Sequence, residues 1–304
     1  MPSLSSLKQL QYLLSVSEHL NFTRAAESCF VTQSTLSAGL KELEDTLSTR
    51  LVERDRQTVL MTPVGLEVAQ RARSILSAAK DLVAFTAEAQ APMSGILRLG
   101  VIPTIAPFLL PPTVKALRKA YPQLRLALRE DLTANLLSRL EGGQLDMALI
   151  ALPYECSHLI VKPLFDDALW LVGRKGDTQL KARTVNVTQA MSEQMLLLEE
   201  GHCLREHALY ACHASTRASH NDLEATSLLT LIQMIESGFG IGLVPEMALR
   251  SGLIKGSTLI TRPLTKPSPT RTIALVARRS TPRQADLESL AQVILHIQTK
   301  TPAL

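Results

Sequence analysis

The chain has 304 residues, of which 46% are hydrophobic and 20% charged, with a formal net charge of +4. That length exceeds what one core ordinarily organises, and the composition excludes a disordered or collagen-like chain. No apolar run approaches the roughly 18 residues that span a bilayer, and Met1 to Leu20 is an amphipathic mixture rather than a signal peptide, which predicts a cytoplasmic protein with no membrane partner.

The first 60 residues carry six cations against seven anions, so bulk charge does not make a case for nucleic acid and the placement of single residues must. Asn21 is placed to cap a helix through Phe22 and Ser28, in which the small Ala25 and Ala26 admit a close neighbour. After a turn at Cys29-Phe30-Val31, Thr32 is placed to cap a second helix with Leu36, Leu40, Leu43 and Leu47 on one face. The opposite face carries Ser34, Ser37, Ala38 and Lys41, with Gln33 at its start. Short hydroxyls let a helix sit close to base edges, Gln33 matches adenine, and Lys41 matches a phosphate or guanine. Two capped helices and a short turn fit a helix-turn-helix entering the major groove of double-stranded DNA; they also fit an ordinary helical hairpin.

From Val64 to Ala91 the pattern is helical without interruption. Val68, Ala72, Ile75, Ala79, Leu82, Thr86 and Ala89 recur at steps of four and three, the spacing of a coiled-coil seam, which predicts a homodimer through this helix. Pro92-Met93-Ser94-Gly95 then breaks it and is a candidate hinge. Beyond, strands at 96–102, 124–129 and 147–150 alternate with helices at 111–120 and 132–141, the pattern of a parallel sheet covered on both faces. Ligands of such sheets lie beyond the carboxyl ends of the strands, which makes Ile102-Pro103-Thr104 a candidate pocket edge. Gly238 to Pro245 is a glycine-rich turn before a strand with no phosphate-binding spacing, and Thr272 to Ala277 is a further strand.

Four cysteines, Cys29, Cys156, Cys203 and Cys212, are too few and too scattered for a secreted disulfide scaffold, so any disulfide among them reads as a signal rather than a staple. Cys203 and Cys212 share the segment Glu199 to Cys212. If it is helical, nine residues put the two sulfurs roughly 13.5 Å apart along the axis on opposite faces. A disulfide tolerates Cα separations only to about 7 Å, so a bond between them requires unwinding. His202, Arg205 and a helix start near Gly201 are each able to favour a Cys203 thiolate. Inert core cysteines and a metal site drawn from Cys203, His207, Cys212, His213 and His220 are the alternatives, although short Cys-x-x-Cys spacing is absent.

Phe22-Thr23-Arg24-Ala25-Ala26, Val31-Thr32-Gln33-Ser34-Thr35-Leu36-Ser37, Leu43-Glu44, Leu51-Val52-Glu53-Arg54 and Thr62-Pro63-Val64-Gly65 resemble, in order and spacing, the N-terminal signature of LysR-type transcriptional regulators. The resemblance implies an α/β chain: an N-terminal winged helix-turn-helix over residues 1–62, a dimerising linker helix over 63–91, a hinge at 92–95, and a two-lobed, doubly wound, periplasmic-binding-protein-like sensor domain over 96–304. Lobe I would take about 96–165 and 270–304, lobe II about 166–269. The DNA-contacting set is then Gln33, Ser34, Ser37, Lys41 and Arg56, with Arg56 and Gln57 in the wing. Two positions depart from the pattern: Ser34 stands where many members have proline, and Ser48 where many have the glycine that ends the recognition helix.

Gly201-His202-Cys203-Leu204-Arg205 with Cys212 resembles the peroxidatic and resolving cysteines of the OxyR branch of that family. The resemblance implies that hydrogen peroxide oxidises Cys203 and that Cys212 closes a disulfide. Thr104, Thr133, His202 and Arg271 would support the peroxide site. It further implies a regulator rather than an enzyme, no cofactor or metal, a homotetramer built on the dimer, and contact with RNA polymerase. A regulator of the same family answering a small metabolite between the lobes is the alternative, and a thiol peroxidase would use the same sulfur chemistry without needing a helix-turn-helix.

Overall fold

This computed structural model describes residues 5–54, 59–87, 92–186, 195–211, 224–266 and 268–300. The N-terminal unit opens with α1 (Leu7–His19), α2 (Phe22–Ser28) and α3 (Gln33–Thr46). Each begins at a side chain able to satisfy an orphan backbone N–H. Ser6 Oγ accepts from Gln9 N while Gln9 reciprocates, Asn21 accepts from Arg24 N, and Thr32 accepts from Thr35 N. Leu36, Leu40 and Leu43 are wholly buried among Leu13, Val16, Ala25 and Ala26. Leu47 does not continue that face as its spacing predicts: the helix ends at Thr46, and Leu47 caps it, 40% exposed.

A hairpin, β1 (Val52–Arg54) paired antiparallel with β2 (Val59–Met61), forms the wing. Glu44 Oε1 ties it to α3 by accepting from Leu51 N and Val52 N at 2.8 and 3.1 Å. The long helix α4 (Pro63–Ala87) follows, with Gly65 N donating to Thr62 Oγ1 at 2.9 Å. A Cβ on Gly65 would lie 2.0 Å from the Leu51 carbonyl oxygen, so only glycine permits this approach. The seam predicted on α4 divides. Val68 and Ala72, with Ala69 and Leu76, pack into the core of this unit, whereas Leu66, Ile75, Leu82 and Val83 face outward. Ala89 of that predicted stripe lies outside the described residues.

The second unit is a mixed α/β structure with two apolar cores. Its elements are β3 (Gly95–Val101), α5 (Ala106–Ala120), β4 (Leu124–Glu130), α6 (Thr133–Glu141), β5 (Met147–Leu152), β6 (Ile160–Arg174), β7 (Met195–Leu198), α7 (Cys203–Ala211), β8 (Glu224–Ala225), α8 (Leu228–Glu236), β9 (Ile241–Pro245), α9 (Glu246–Arg250), β10 (Leu259–Pro263), β11 (Thr270–Ala277) and α10 (Gln284–Lys300). The strand order is β4-β3-β5-β11-β6-β9-β7-β8, with β10 beside β6.

The sheet is not parallel throughout. β3 runs parallel to β4 and β5, and β7 to β8 and β9, but β11 and β6 are antiparallel to their neighbours. Strand–helix alternation does not reveal this, because β6 and β11 join the sheet through long-range pairing. The 15-residue β6 is shared: its first half pairs with β11, and from Leu169 onward it pairs with β9 and β10. The two halves therefore belong to different cores.

Helix α5 starts five residues before the predicted Pro111 and holds both Pro111 and Pro112. Prolines inside a helix remove backbone donors; the Thr113 hydroxyl donates to Leu109 O at 2.6 Å one turn back. At the predicted break, Met93 is buried in the first core and its N–H donates to Asp286 Oδ1 at 2.7 Å. No helix among the described residues is long and apolar enough to cross a membrane.

Candidate functional site

Three strand-to-helix turns of the second unit carry the predicted groups. Thr104 lies between β3 and α5, Thr133 opens α6 after β4, and Cys203 opens α7 after β7. Each sits beyond the carboxyl end of a parallel strand, where α/β sheets place their ligands. Helix α7 has two faces. Leu204, Ala208 and Leu209 pack into the second core, while Cys203, 7% exposed, belongs to the first. His207, four residues on, shares the Cys203 face. The helix thus lies between the lobes, rooted in one and presenting Cys203 to the other.

Arg271 completes the site from β11 and is fully buried. Its Nε and Nη2 donate to Asp167 Oδ2 at 3.1 and 3.0 Å, Nη1 donates to Thr104 Oγ1 at 2.7 Å, and Nη2 also reaches Thr104 O at 3.1 Å. Asp167 in turn accepts from Met247 N at 2.9 Å. A buried guanidinium persists only when its charge and donors are matched, and Asp167 and Thr104 do that here.

Burial pushes the Cys203 thiol above its ordinary range, which keeps it protonated; the Arg271 charge, the Thr133 and Thr104 hydroxyls and the Leu204 N–H oppose that shift. Thr133 Oγ1 is close enough to favour the thiolate, yet among the described residues it makes no hydrogen bond of normal geometry. His202 is buried and its pKa is lowered by that burial, so at neutral pH it is uncharged and lends the sulfur no positive charge.

Arg205, expected to act on Cys203, does not. It points away, donating to Leu198 O at 2.9 Å and to Glu224 at 2.7 Å, because two residues along a helix is more than half a turn. Arg271 holds the place that sequence proximity assigned to Arg205. Asp167 escaped the sequence reading; its signal was the pair of carboxylates Asp166-Asp167 inside the otherwise apolar run Leu164 to Val172. Cys212, and with it His213 and His220 of the metal alternative, lies outside the described residues. Cys156 is buried with its pKa raised, first by desolvation and then by Glu155, and Cys29 is half-buried.

In the first unit Gln33, Ser34 and Lys41 are exposed and Ser37 half-buried on the outer face of α3. Ser34, Ser37, Ala38 and Lys41 line one open groove with Ser48, Thr49 and Arg50. The Ser34 hydroxyl lies 2.9 Å from Thr32 Oγ1, within the cap of the recognition helix. Ser48 adopts a left-handed backbone with φ of 49°. Arg56 and Gln57 lie outside the described residues.

Comparison with known proteins agrees with this architecture. Residues 7–66 match the bacterial regulatory helix-turn-helix protein, lysR family, and residues 90–297 match the LysR substrate binding domain. The chain is 42% identical over 297 residues to the HTH-type transcriptional regulator EstR of Acinetobacter baylyi, covering 98% of both chains. It is 37% identical over 289 residues to the DNA-binding transcriptional dual regulator OxyR of Escherichia coli, covering 95% of this chain and 94% of that one. Among solved structures, a full-length OxyR variant from Pseudomonas aeruginosa superposes with a TM-score of 0.76 at 32% identity, covering 96% of this chain and 95% of that one. With both units matched, the chain belongs to the LysR family of DNA-binding transcription regulators.

Proposed function

We propose that this regulator senses hydrogen peroxide through Cys203. The observation that carries the reading is the enclosure of that thiol by Arg271, Thr104 and Thr133, each of which favours its ionised form, with Thr133 Oγ1 buried and making no hydrogen bond of normal geometry. A buried polar group without a partner marks a place for water or a small polar ligand, and a cation beside the sulfur favours its reactive form. Several relatives support it by name, among them the hydrogen peroxide-inducible genes activator of Dickeya chrysanthemi, 37% identical.

In this reading the Cys203 sulfur attacks one peroxide oxygen, the O–O bond breaks, and the thiol proton leaves with the departing oxygen as water, giving a sulfenic acid. The Cys212 thiol then displaces that hydroxyl as a second water and the disulfide forms. Cys203 is the first residue of the nine-residue helix α7, so pairing with Cys212 requires α7 to unwind and Cys203 to leave the first core. The lobes lose a contact, and paired DNA-binding heads shift on their half-sites. Gln33, Ser34, Ser37, Lys41 and Arg56 serve as DNA contacts and the outward face of α4 as the dimer seam in this proposal, which also takes in a homotetramer and contact with RNA polymerase. The boundaries 1–62, 63–91, 92–95 and 96–304 are part of the same proposal.

Cys203→Ser is the test. Peroxide-dependent changes in the DNA footprint should vanish while binding by the reduced chain persists; an unchanged peroxide response overturns the reading. One observation favours a second reading, a small metabolite as effector: a cavity of about 400 Å³ between the lobes, lined by Phe108, Met247, Arg250 and Ile297 among others. In that case the Cys203→Ser variant answers its ligand under reducing conditions.

A further inference from the structure

Five side-chain atoms among the described residues are buried without a hydrogen-bond partner, and two of them are the ring nitrogens of a single residue, His207. His207 is 7% exposed and sits one turn beyond Cys203 on the face of α7 that meets the first lobe. Its neighbours there are the Arg271 charge and the Pro153 carbonyl, the latter close but outside hydrogen-bond geometry. The opposite face of α7, Leu204, Ala208 and Leu209, is apolar and fully accommodated. A buried imidazole whose nitrogens make no hydrogen bond of normal geometry makes the closed arrangement less stable than an apolar side chain of similar size would. Release of α7 hydrates it and removes that penalty.

We propose that His207 is the set-point residue of the switch: its buried, poorly satisfied ring weakens the docking of α7 against the first lobe, so that less oxidant is needed to drive the helix out. The proposal rests on the reading of Cys203 given above. The equilibrium it governs is protein dithiol plus oxidised glutathione giving protein disulfide plus two reduced glutathiones, with Cys203 and Cys212 supplying the two thiols.

The full-length chain, His207→Leu and His207→Gln are equilibrated in glutathione buffers of graded ratio, and the Cys203–Cys212 disulfide is quantified by mass spectrometry without reduction. His207→Leu should need a roughly tenfold higher ratio of oxidised glutathione to the square of reduced glutathione for half-oxidation, and its reduced form should melt at a higher temperature. His207→Gln, still polar, should stay near the parent. If the disulfide forms in the parent but His207→Leu is unchanged, or oxidises more readily and melts lower, His207 is a supporting residue of the closed state and the proposal is overturned. If the parent forms no such disulfide, the reading of Cys203 falls, and this inference with it.

Discussion

Asp167 and Arg271 face each other directly across the antiparallel pairing of β6 and β11, and their side chains close a two-bonded ion pair that solvent does not reach. The pair stands where β6 passes from one core to the other, and Arg271 continues from it to Thr104. It holds the cation beside Cys203 at a fixed place in both position and charge.

Asp167→Asn leaves the Arg271 charge buried without its counter-ion. The reduced chain should lose on the order of 3 kcal/mol of stability, as breaking a buried pair by removing one partner does. Denaturant unfolding of the full chain measures this, and a change below about 0.5 kcal/mol, the scale of an exposed pair, would contradict the structural role assigned here.

His207 supplies a pH dependence with a definite sign. Burial, and then the Arg271 charge, lower its pKa from 6.5 to about 4 in the closed structure. The opened or unfolded chain binds a proton on this ring near pH 6.5 and the closed one does not, so stability is full above pH 6.5 and is lost as pH falls through about 4. The loss attributable to this one group is about 3 kcal/mol at most. Melting curves of the reduced parent and of His207→Leu between pH 7 and 4 isolate it, since other groups cancel in the difference. Parallel pH profiles would show that the ring is not held neutral by the fold.

Ser48 pays a local cost in its left-handed conformation just after α3. Ser48→Gly removes the Cβ that makes this conformation unfavourable and should raise the stability of the DNA-binding unit by about 1 kcal/mol. Thermal melting reads the gain; a lower melting temperature would mean that the serine side chain matters more than the backbone.

The outward residues of α4 make a separate prediction. Leu82 and Val83 are about 70% exposed and lie with Ile75 on a face that the unit's own core does not use. Replacing Leu82 with Glu should shift the chain toward monomer in sedimentation at micromolar concentration and weaken DNA binding by tenfold or more, since paired heads are lost. An unchanged sedimentation profile would place the seam elsewhere.

What the sequence determined by itself is local. Asn21 and Thr32 announced their helices because caps act within three residues, and Leu36, Leu40 and Leu43 announced a buried face because helical spacing is short-ranged. Cys203 stood out because its neighbours in sequence form one helix start. The tertiary structure decided which charges act on it. Arg205, two residues away, turns to Glu224, while Arg271 and Asp167, 104 residues apart, meet beside it through strand register. It also divided the α4 stripe between Ala72 in the core and Ile75 outside it, and it buried His207 near the Arg271 charge. Each of these depends on which surfaces meet after folding, and helical period and residue type contain no record of that.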